Sequence, residues 1–380
     1  MNDAVPGATI GVVGGGQLGR MLAAAASPLG VDVIVLDPTP DCPAVPPAAD
    51  QVVADFDDEA AVRDLASRVD DLTVEIELAD PDALRAVARE TGTLVHPAPS
   101  DVEMTRDKLR EARRLDDAGI PVAAFRRVDD ADDLRGALDD LGSPLMLKAR
   151  RGGYDGRGNA LVESVAAARD YFGDLEGFVA ERAVDFVREL STIGVRGADD
   201  TDTFPVVENV HEEEILRETL APARTTESVI DRAAAVAESV LAELDGRGVF
   251  GIELFETRDG EVLVNEIAPR PHNSGHYTIE GAVTSQFEQH VRAVLGRPLG
   301  DTGLRDPTAM VNLLGTGESS RPAALSGVGD ALAVDGAHLH WYGKREVRPL
   351  RKMGHLTATG TDAAAARETA RAARDEIDFE

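Results

Sequence analysis

The sequence predicts an α/β and α+β protein of several domains, and three features of its hydrophobic pattern support this. In the first hundred residues, short apolar runs alternate with helical segments, as in a parallel, doubly wound sheet. Beyond Gly158 the pattern becomes richer in strands, and from about Asp306 it changes to short strands and a final alanine-rich helix. A chain of 380 residues is long enough for two or three cores. We therefore expect domains at residues 1–99, 100–305 and 306–380.

The individual elements follow from apolar periodicities of two or 3.6 residues. In the N-terminal region these predict strands at 8–13, 31–36, 72–76 and 94–95, and helices near 18–26, 58–69 and 80–90. In the middle region they predict helices at 100–118, 131–141 and 225–244, and strands at 122–128, 145–149, 178–181, 186–195, 204–207, 249–256 and 262–267. A last helix is expected at 362–377.

The composition excludes several classes of protein. Hydrophobic residues make up 43% of the chain, yet no apolar run is long enough to cross a bilayer. The first residues, MNDAVPGATIGVV, lack the basic and then apolar segments of a signal peptide. The single cysteine, Cys42, excludes an internal disulfide and a cysteine-cluster metal site. We therefore expect a cytoplasmic enzyme.

The charge balance is strongly acidic. The chain has 39 basic and 69 acidic residues, and its formal net charge is −30. Such a surface repels nucleic acids and anionic membranes, so we expect neither as a partner. Carboxylates keep a surface hydrated at high salt, where screening also weakens their mutual repulsion. The composition therefore favours a halophilic protein.

Lysine is rare in this chain. It occurs only at Lys108, Lys148, Lys344 and Lys352, while every other basic residue is arginine. A compact ammonium group and a planar guanidinium differ in size, hydration and hydrogen-bond geometry. We expect lysine to persist where arginine cannot replace it, which makes these four positions candidate site residues.

A glycine-rich segment, Gly14 to Gly19, follows the first predicted strand and fits the pattern G-x-G-x-x-G. Asp37 ends the second predicted strand, where a dinucleotide-binding domain would hold a ribose hydroxyl. This combination is compatible with an NAD-dependent oxidoreductase. A glycine turn before a helix is also a general anion site, which could bind one phosphate of another substrate.

Two further segments favour a binding site for a nucleoside triphosphate. Lys148 ends a predicted strand and precedes a glycine-rich loop at 152–158, so an ammonium group and flexible backbone amides could surround phosphates. Glu181 lies at the end of another predicted strand, with Glu189 eight residues later. These carboxylates suit an adenine edge and a ribose hydroxyl.

Two more segments predict a metal and an oxyanion site. Glu253 and Glu266 lie on neighbouring predicted strands among apolar residues, where a carboxylate is costly without a cation. Magnesium prefers such oxygen ligands, shared with phosphate. Directly after the second strand, Arg270, His272 and Asn273 lie on one proline-rich turn that could hold a small oxyanion.

Taken together, these segments resemble the 5-(carboxyamino)imidazole ribonucleotide synthases, the PurK family of ATP-grasp ligases. The similarity extends over essentially the whole chain, and its most specific motifs are GGGQLGRM at 14–21, GGYDGRG at 152–158, NEIAPRPHNSGH at 265–276, WYGK at 341–344 and RPLRKMGH at 348–355. It implies an ATP-grasp fold with an N-terminal pre-ATP-grasp domain and a small C-terminal domain. It also implies ATP- and bicarbonate-dependent carboxylation of 5-aminoimidazole ribonucleotide in purine biosynthesis, with ATP and Mg²⁺ as cofactors, and a homodimer.

The resemblance implies roles for individual residues. ATP would be bound by Lys108, Lys148, Gly153, Tyr154, Asp155, Gly156, Arg157, Gly158, Asn159, Glu181, Arg182, Val184, Glu189, His211, Asn265 and Glu266. Magnesium would be held by Glu253 and Glu266, and the ribonucleotide by Gln17, Leu18, Glu75, Lys344, Arg351 and Lys352. The catalytic residues would be Arg270, His272, Asn273 and Lys344.

The sequence departs from the family pattern at two places. Arg182 replaces the glutamine that usually follows the adenine-site glutamate, and the segment around Glu75 lacks the usual aromatic and asparagine residues. Three alternatives therefore remain open at this point. They are a formate-dependent glycinamide ribonucleotide transformylase, which has a similar PRPH turn, the dinucleotide oxidoreductase, and a non-catalytic nucleotide sensor.

Overall fold

The computed structural model describes residues 7–152 and 158–380, and it begins with a five-stranded parallel sheet. The N-terminal elements are β1 (Ala8–Val13), α1 (Gln17–Ala26), β2 (Val31–Leu36), β3 (Asp50–Val52), α2 (Glu59–Ala66), β4 (Asp71–Val74), α3 (Pro81–Thr91) and β5 (Leu94–His96). The strand order is β3-β2-β1-β4-β5. Since the order reverses between β1 and β4, a crevice is expected beyond their carboxyl ends, where ligands bind in such sheets. The predicted doubly wound domain is confirmed.

A four-stranded antiparallel sheet comes next, with the strand order β6-β9-β7-β8. Its core contains apolar side chains from the strands and from two helices that cover them. The elements are α4 (Pro99–Thr105), α5 (Lys108–Asp117), β6 (Phe125–Val128), α6 (Ala131–Leu141), β7 (Leu145–Ala149), β8 (Asn159–Val162), α7 (Val165–Phe172) and β9 (Phe178–Arg182).

The rest of the chain forms a nine-stranded sheet, its covering helices and two small sheets, in which β17 pairs with β20 and β18 with β22. Eight strands follow the order β15-β14-β10-β12-β13-β16-β21-β19, and β11 pairs with β10. The elements are β10 (Phe186–Arg196), β11 (Thr201–Thr203), β12 (Val207–Glu212), β13 (Ile215–Ala221), α8 (Glu227–Ala242), β14 (Gly248–Thr257), β15 (Val262–Ala268), α9 (Thr278–Gly281), α10 (Gln286–Val294), β16 (Thr308–Leu314), β17 (Arg321–Pro322), β18 (Leu325–Ser326), α11 (Val328–Leu332), β19 (Ala337–Trp341), β20 (Glu346–Val347), β21 (Lys352–Thr359), α12 (Ala363–Asp375) and β22 (Asp378–Phe379).

The large sheet crosses the predicted boundary between residues 305 and 306. Strand β13 pairs with β16, so that the last region extends the sheet of the middle region. Buried alanines of α12 pack against this extension and against Leu220 on β13. The C-terminal region is thus part of the same sheet as β14 and β15.

Four predicted elements differ clearly from the structure. The strand expected at 122–128 begins at Phe125, and the helix expected near 58–69 ends at Ala66. The helix expected at 100–118 is divided, because Asp107 caps α5 by accepting from the backbone N–H groups of Leu109 and Arg110. The strand expected at 204–207 begins only at Val207, and Pro205 just before it has no N–H group to donate to a sheet. In the part of the chain that the structure describes, no helix combines the length and apolar character needed to span a membrane.

Candidate active site

The glycine turn between β1 and α1 is filled by two carboxylates of the protein. The N–H of Gly15 donates to Asp37 Oδ2 over 3.0 Å, and that of Gly16 donates to Glu75 Oε1 over 2.5 Å. A Cβ atom on Gly14 would lie 2.5 Å from the Glu75 side chain. Glycine is therefore required here to admit Glu75, and the turn amides bind carboxylates where a dinucleotide would place its pyrophosphate. This arrangement argues against the oxidoreductase interpretation.

Glu75 lies at the floor of the crevice beyond β1 and β4. Burial raises its pKa to about 7, against the opposing effects of the Gly16 amide and the positive charge of Arg270. Its carboxyl group can therefore carry a proton near neutral pH. Leu18, which was predicted to bind the ribonucleotide, packs its side chain into the N-terminal core, so that only its backbone is suited to contact a ligand.

Three of the predicted ribonucleotide residues meet at the mouth of this crevice. Lys344 Nζ donates to Gln17 Oε1 over 2.6 Å and to the Lys352 carbonyl over 2.5 Å. Burial lowers the pKa of Lys344 to about 7, and the nearby charges of Arg351 and Lys352 add to this effect. The crevice thus gathers three cationic side chains in a protein of strongly negative net charge, as a pocket for an anionic substrate requires.

Two lysines connect the four-stranded sheet and its preceding helix to β15. Lys148 Nζ, on β7, lies 2.7 Å from Glu181 Oε2 on the adjacent strand β9 and donates to Asn265 Oδ1 over 3.1 Å. Lys108, at the start of α5, pairs with Glu266 Oε2 over 2.5 Å. Both ammonium groups lie in a cleft between the four-stranded sheet and β15, where they can neutralise phosphate oxygens.

The predicted metal ligands are direct neighbours across two strands. Glu253 on β14 is paired with Glu266 on β15, and a β-bulge follows at Leu254. Burial and the negative charge of Glu266 raise the pKa of Glu253. Burial opposes ionisation of Glu266 as well, but the positive charge of Lys108 holds its pKa below the ordinary value.

These two carboxylates fit a magnesium ion that is shared with phosphates. Among residues 7–152 and 158–380, no group of three or more histidine, cysteine, aspartate or glutamate side chains is arranged to hold a metal alone. Magnesium commonly uses one or two carboxylates and completes its coordination with water and substrate phosphate. Glu253 and Glu266 supply that number of protein ligands.

The remaining predicted ATP residues are divided between this cleft and other places. Glu189 contacts His211 Nδ1. Burial lowers the pKa of His211, but the hydrogen bond and negative charge of Glu189 outweigh burial, so that the pKa is raised. Asn159 is paired with Lys148 across β7 and β8, and Gly158 precedes it with a positive φ of 88°. Val184 is half-buried just after β9. The predicted residues Gly153, Tyr154, Asp155, Gly156 and Arg157 lie outside the described residues.

Arg182 directs its side chain away from the two lysines. It lies at the end of β9, where Nε donates to the carbonyl of Leu141 at the end of α6 over 3.3 Å. The substitution of arginine for the usual glutamine therefore affects the outer surface of the lobe. Only its backbone remains suited to the predicted adenine contact.

The turn after β15 carries the predicted oxyanion residues. Arg270 Nη2 donates to Glu77 Oε1 over 2.6 Å, which connects this turn to the N-terminal domain. His272 Nε2 lies 3.4 Å from Glu253 Oε1. Burial and the charge of Arg270 hold the pKa of His272 well below its ordinary value.

Asn273 is held by a second amide. Its Nδ2 donates to Asn312 Oδ1 over 3.1 Å and its Oδ1 accepts from Asn312 Nδ2 over 2.8 Å. Asn273 is only 6% exposed. This reciprocal pair fixes the turn against β16, so that Asn273 helps to hold the turn in place.

Comparison with known proteins identifies the family. Residues 7–106 match a ribonucleotide synthetase preATP-grasp domain, residues 113–287 an ATP-grasp domain, and residues 308–369 a phosphoribosylaminoimidazole carboxylase C-terminal domain. The N5-carboxyaminoimidazole ribonucleotide synthase of Brucella melitensis is 42% identical over 362 residues, which cover 93% of this chain and 96% of that protein. The chain belongs to the N5-carboxyaminoimidazole ribonucleotide synthase family.

Other relatives and solved structures agree with this assignment. The synthase of Bacillus subtilis is 41% identical, with 93% of this chain and 91% of that protein covered. The chloroplastic phosphoribosylaminoimidazole carboxylase of Vigna aconitifolia is also 41% identical, but the chain spans 64% of its length. The synthetase of Thermotoga maritima has a TM-score of 0.89 at 40% identity, with coverage of 98% and 99%. A synthase of Aspergillus clavatus, in complex with ADP and 5-aminoimidazole ribonucleotide, has a TM-score of 0.90 at 35% identity, with coverage of 98% of each chain.

Membership in the synthase family confirms the predicted ATP-grasp fold with its N-terminal and C-terminal domains. It makes the protein an ATP-dependent, ADP-forming ligase, which settles the choice against an oxidoreductase. Sequence reasoning missed Glu77 in this site. A usable signal was present, because Glu75 and Glu77 alternate with apolar residues in Val-Glu-Ile-Glu-Leu just after β4.

Proposed function

We propose that the protein carboxylates 5-aminoimidazole ribonucleotide to N5-carboxyaminoimidazole ribonucleotide, with ATP and bicarbonate, in purine biosynthesis. The position of Arg270 supports this most directly. Its charge acts on Glu266 in the cleft with the lysines and on Glu75 in the N-terminal crevice. An oxyanion bound to Arg270 would therefore lie between a phosphoryl donor and a ribonucleotide.

The proposed reaction has two steps. A bicarbonate oxygen attacks the γ-phosphorus of ATP, so that ADP leaves and carboxyphosphate forms. The exocyclic amine of the ribonucleotide then forms a bond to the carboxyl carbon, directly or after carbon dioxide is released, while phosphate leaves and the amine loses a proton. Lys108 and Lys148 would stabilise the charge on the phosphates during transfer.

Magnesium would be held by Glu253 and Glu266 and would neutralise phosphate charge. In the crevice, Arg351 and Lys352 would bind the phosphate of the ribonucleotide, since both are cationic and lie beside Lys344. Lys344 and Glu75 would face its reactive end. Both have a pKa near 7, so that either can exchange a proton at neutral pH.

The experiment that tests this proposal measures ADP formation with different substrates. We expect ADP release to require bicarbonate and to be strongly stimulated by 5-aminoimidazole ribonucleotide. Formate with glycinamide ribonucleotide should give little ADP, and a nicotinamide cofactor should show no absorbance change. Greater activity with the formate pair would contradict the proposal and favour a transformylase, while absence of ADP with every pair would favour a nucleotide sensor.

A pair of variants tests the phosphate contact separately. Arg351→Ala should raise the KM for the ribonucleotide by about tenfold or more, because a charged hydrogen bond contributes about 1.5–3 kcal/mol. Arg345→Ala is the control, since Arg345 is 76% exposed and lies 3.7 Å from Asp41 in a surface ion pair. An equal effect of both variants would contradict the assignment. The homodimer, the cytoplasmic location and the domain boundaries after residues 99 and 305 stay predictions.

A further inference from the structure

A row of buried polar side chains lies behind His272. Its members are Thr219 on β13, Asn209 on β12, Ser191 on β10 and Ser274 in the turn after β15. All four are at most 5% exposed. Buried polar groups are costly unless they are hydrogen-bonded, so their alignment across three neighbouring strands needs an explanation. We call these four residues the relay.

The hydrogen bonds of the relay run in one direction. Thr219 Oγ1 donates to Asn209 Oδ1 over 3.1 Å, and Asn209 Nδ2 donates to Ser191 Oγ over 2.9 Å. Ser191 Oγ donates in turn to Ser274 Oγ over 2.8 Å. A hydroxyl group has a single proton to donate. The Ser274 proton is therefore left for the atom at the end of the relay, His272 Nδ1, which lies 2.9 Å away.

The backbone adds a second donor to the same nitrogen. The N–H of Ser274 points at His272 Nδ1 over 3.4 Å, a longer and weaker contact than that of the hydroxyl. An imidazole nitrogen that accepts hydrogen bonds must carry its lone pair and no proton. The proton of the neutral ring then lies on Nε2. That nitrogen faces the cleft, 3.4 Å from the acceptor Glu253 Oε1.

We propose that the relay fixes His272 as the neutral Nε2–H tautomer, which makes it a hydrogen-bond donor to the oxyanion. In this form the ring cannot accept a proton from bicarbonate through Nε2. It can stabilise negative charge on an oxygen of bicarbonate or of carboxyphosphate. Ser191, Asn209, Thr219 and Ser274 are positioning residues that act through His272. The identity of the oxyanion rests on the proposed function, but the tautomer does not.

The tautomer can be read by ¹⁵N NMR of the full-length protein without any substrate. The pattern of two-bond and three-bond couplings from the ring nitrogens to the carbon-bound ring protons distinguishes an Nε2–H ring from an Nδ1–H ring. The chain has eight histidines, so the His272 signals are assigned by their loss in His272→Gln. We expect the Nε2–H pattern in the wild-type protein. An Nδ1–H pattern or a doubly protonated ring would overturn the proposal.

The variant Ser191→Ala tests the relay itself. Without the Ser191 donor, the Ser274 hydroxyl can either donate to or accept from the imidazole, and only the weaker contact from the Ser274 N–H still favours an unprotonated Nδ1. We therefore expect both tautomers of His272. The matched control is Thr192→Val. Thr192 is the next residue on β10, it is equally buried, and its hydroxyl donates to the carbonyl of Phe204 over 2.7 Å, outside the relay. This control should keep the wild-type pattern.

Kinetics then connect the tautomer to the reaction. We expect Ser191→Ala to reduce kcat by about two- to tenfold, in proportion to the fraction of His272 rings that lose the Nε2–H form. The KM for ATP should stay unchanged, and Thr192→Val should retain full kcat. An unchanged tautomer in Ser191→Ala, or equal losses of kcat in the variant and the control, would overturn the role of the relay. Because NMR needs no turnover, a failure of the proposed reaction would be seen separately.

Discussion

Replacement of Glu75 by glutamine should remove a pH dependence from the stability of the protein. Glu75 is 8% exposed, and burial raises its pKa from 4.5 to about 7 despite the hydrogen bond from Gly16. The folded state therefore binds this proton more tightly than the unfolded state does. The resulting stabilisation is complete below pH 4.5 and is lost as the pH rises through about 7.

The size of this effect follows from the two pKa values. The difference between 4.5 and about 7 corresponds to about 3 kcal/mol of folding free energy. Urea unfolding of the wild-type and Glu75→Gln proteins across this pH range measures it. Since the other carboxyl groups are common to both proteins, their contributions largely cancel in the difference.

We expect the free energy of unfolding of the wild-type protein to fall by up to about 3 kcal/mol, relative to that of Glu75→Gln, as the pH rises through this range. The control is Glu163→Gln, which removes one carboxyl group from an exposed position. This control should show the same pH slope as the wild-type protein. If Glu75→Gln also followed the wild-type slope, the carboxyl group would not be buried in the glycine turn, and our account of that turn would be refuted.

Three further predictions concern the site and the surface. Glu253→Gln and Glu266→Gln should each raise the magnesium concentration needed for activity. Because both residues would bind one ion, the double variant should lose much less activity than the sum of the two single losses, and additive losses would contradict a shared site. Glu77→Gln should lower kcat by about tenfold with little change in the KM for ATP, because it removes the carboxylate that orients Arg270; an unchanged kcat in steady-state assays would contradict this role. The melting temperature should rise as potassium chloride is added, because salt screens repulsion among the 69 acidic residues; a flat or falling melting temperature would remove the halophilic interpretation.

Much of the fold could be predicted because local patterns were strong. The strands at Ala8–Val13, Val31–Leu36 and Leu145–Ala149 and the helix at Ala131–Leu141 have the predicted bounds. The prediction failed where distant partners decide the structure. The pattern Ile-Leu-Arg-Glu-Thr-Leu-Ala of β13 has no clear period of two, and β13 lies between β12, from which it is separated by two residues, and the distant strand β16.

The same reason separates the predicted and unpredicted parts of the site. Lys148 and Glu181 were both predicted to bind one nucleotide, and the structure places their charged atoms 2.7 Å apart. They meet because the antiparallel register sets Glu181 opposite Met146, two residues from Lys148. The occupant of the glycine turn could not be predicted, because Asp37 and Glu75 reach it from 22 and 59 residues away. A motif alone does not show whether its amides face a ligand or a side chain of the protein.

The most direct test of the proposed reaction follows oxygen atoms. When bicarbonate is labelled with ¹⁸O, the oxygen that attacks the γ-phosphorus becomes the bridge of carboxyphosphate and leaves with the phosphate. We expect each phosphate released with ATP and 5-aminoimidazole ribonucleotide to carry one ¹⁸O atom, measured by mass spectrometry or by the isotope shift in ³¹P NMR. Unlabelled phosphate, formed at the same rate as ADP, would mean that water attacks ATP and that bicarbonate is not phosphorylated.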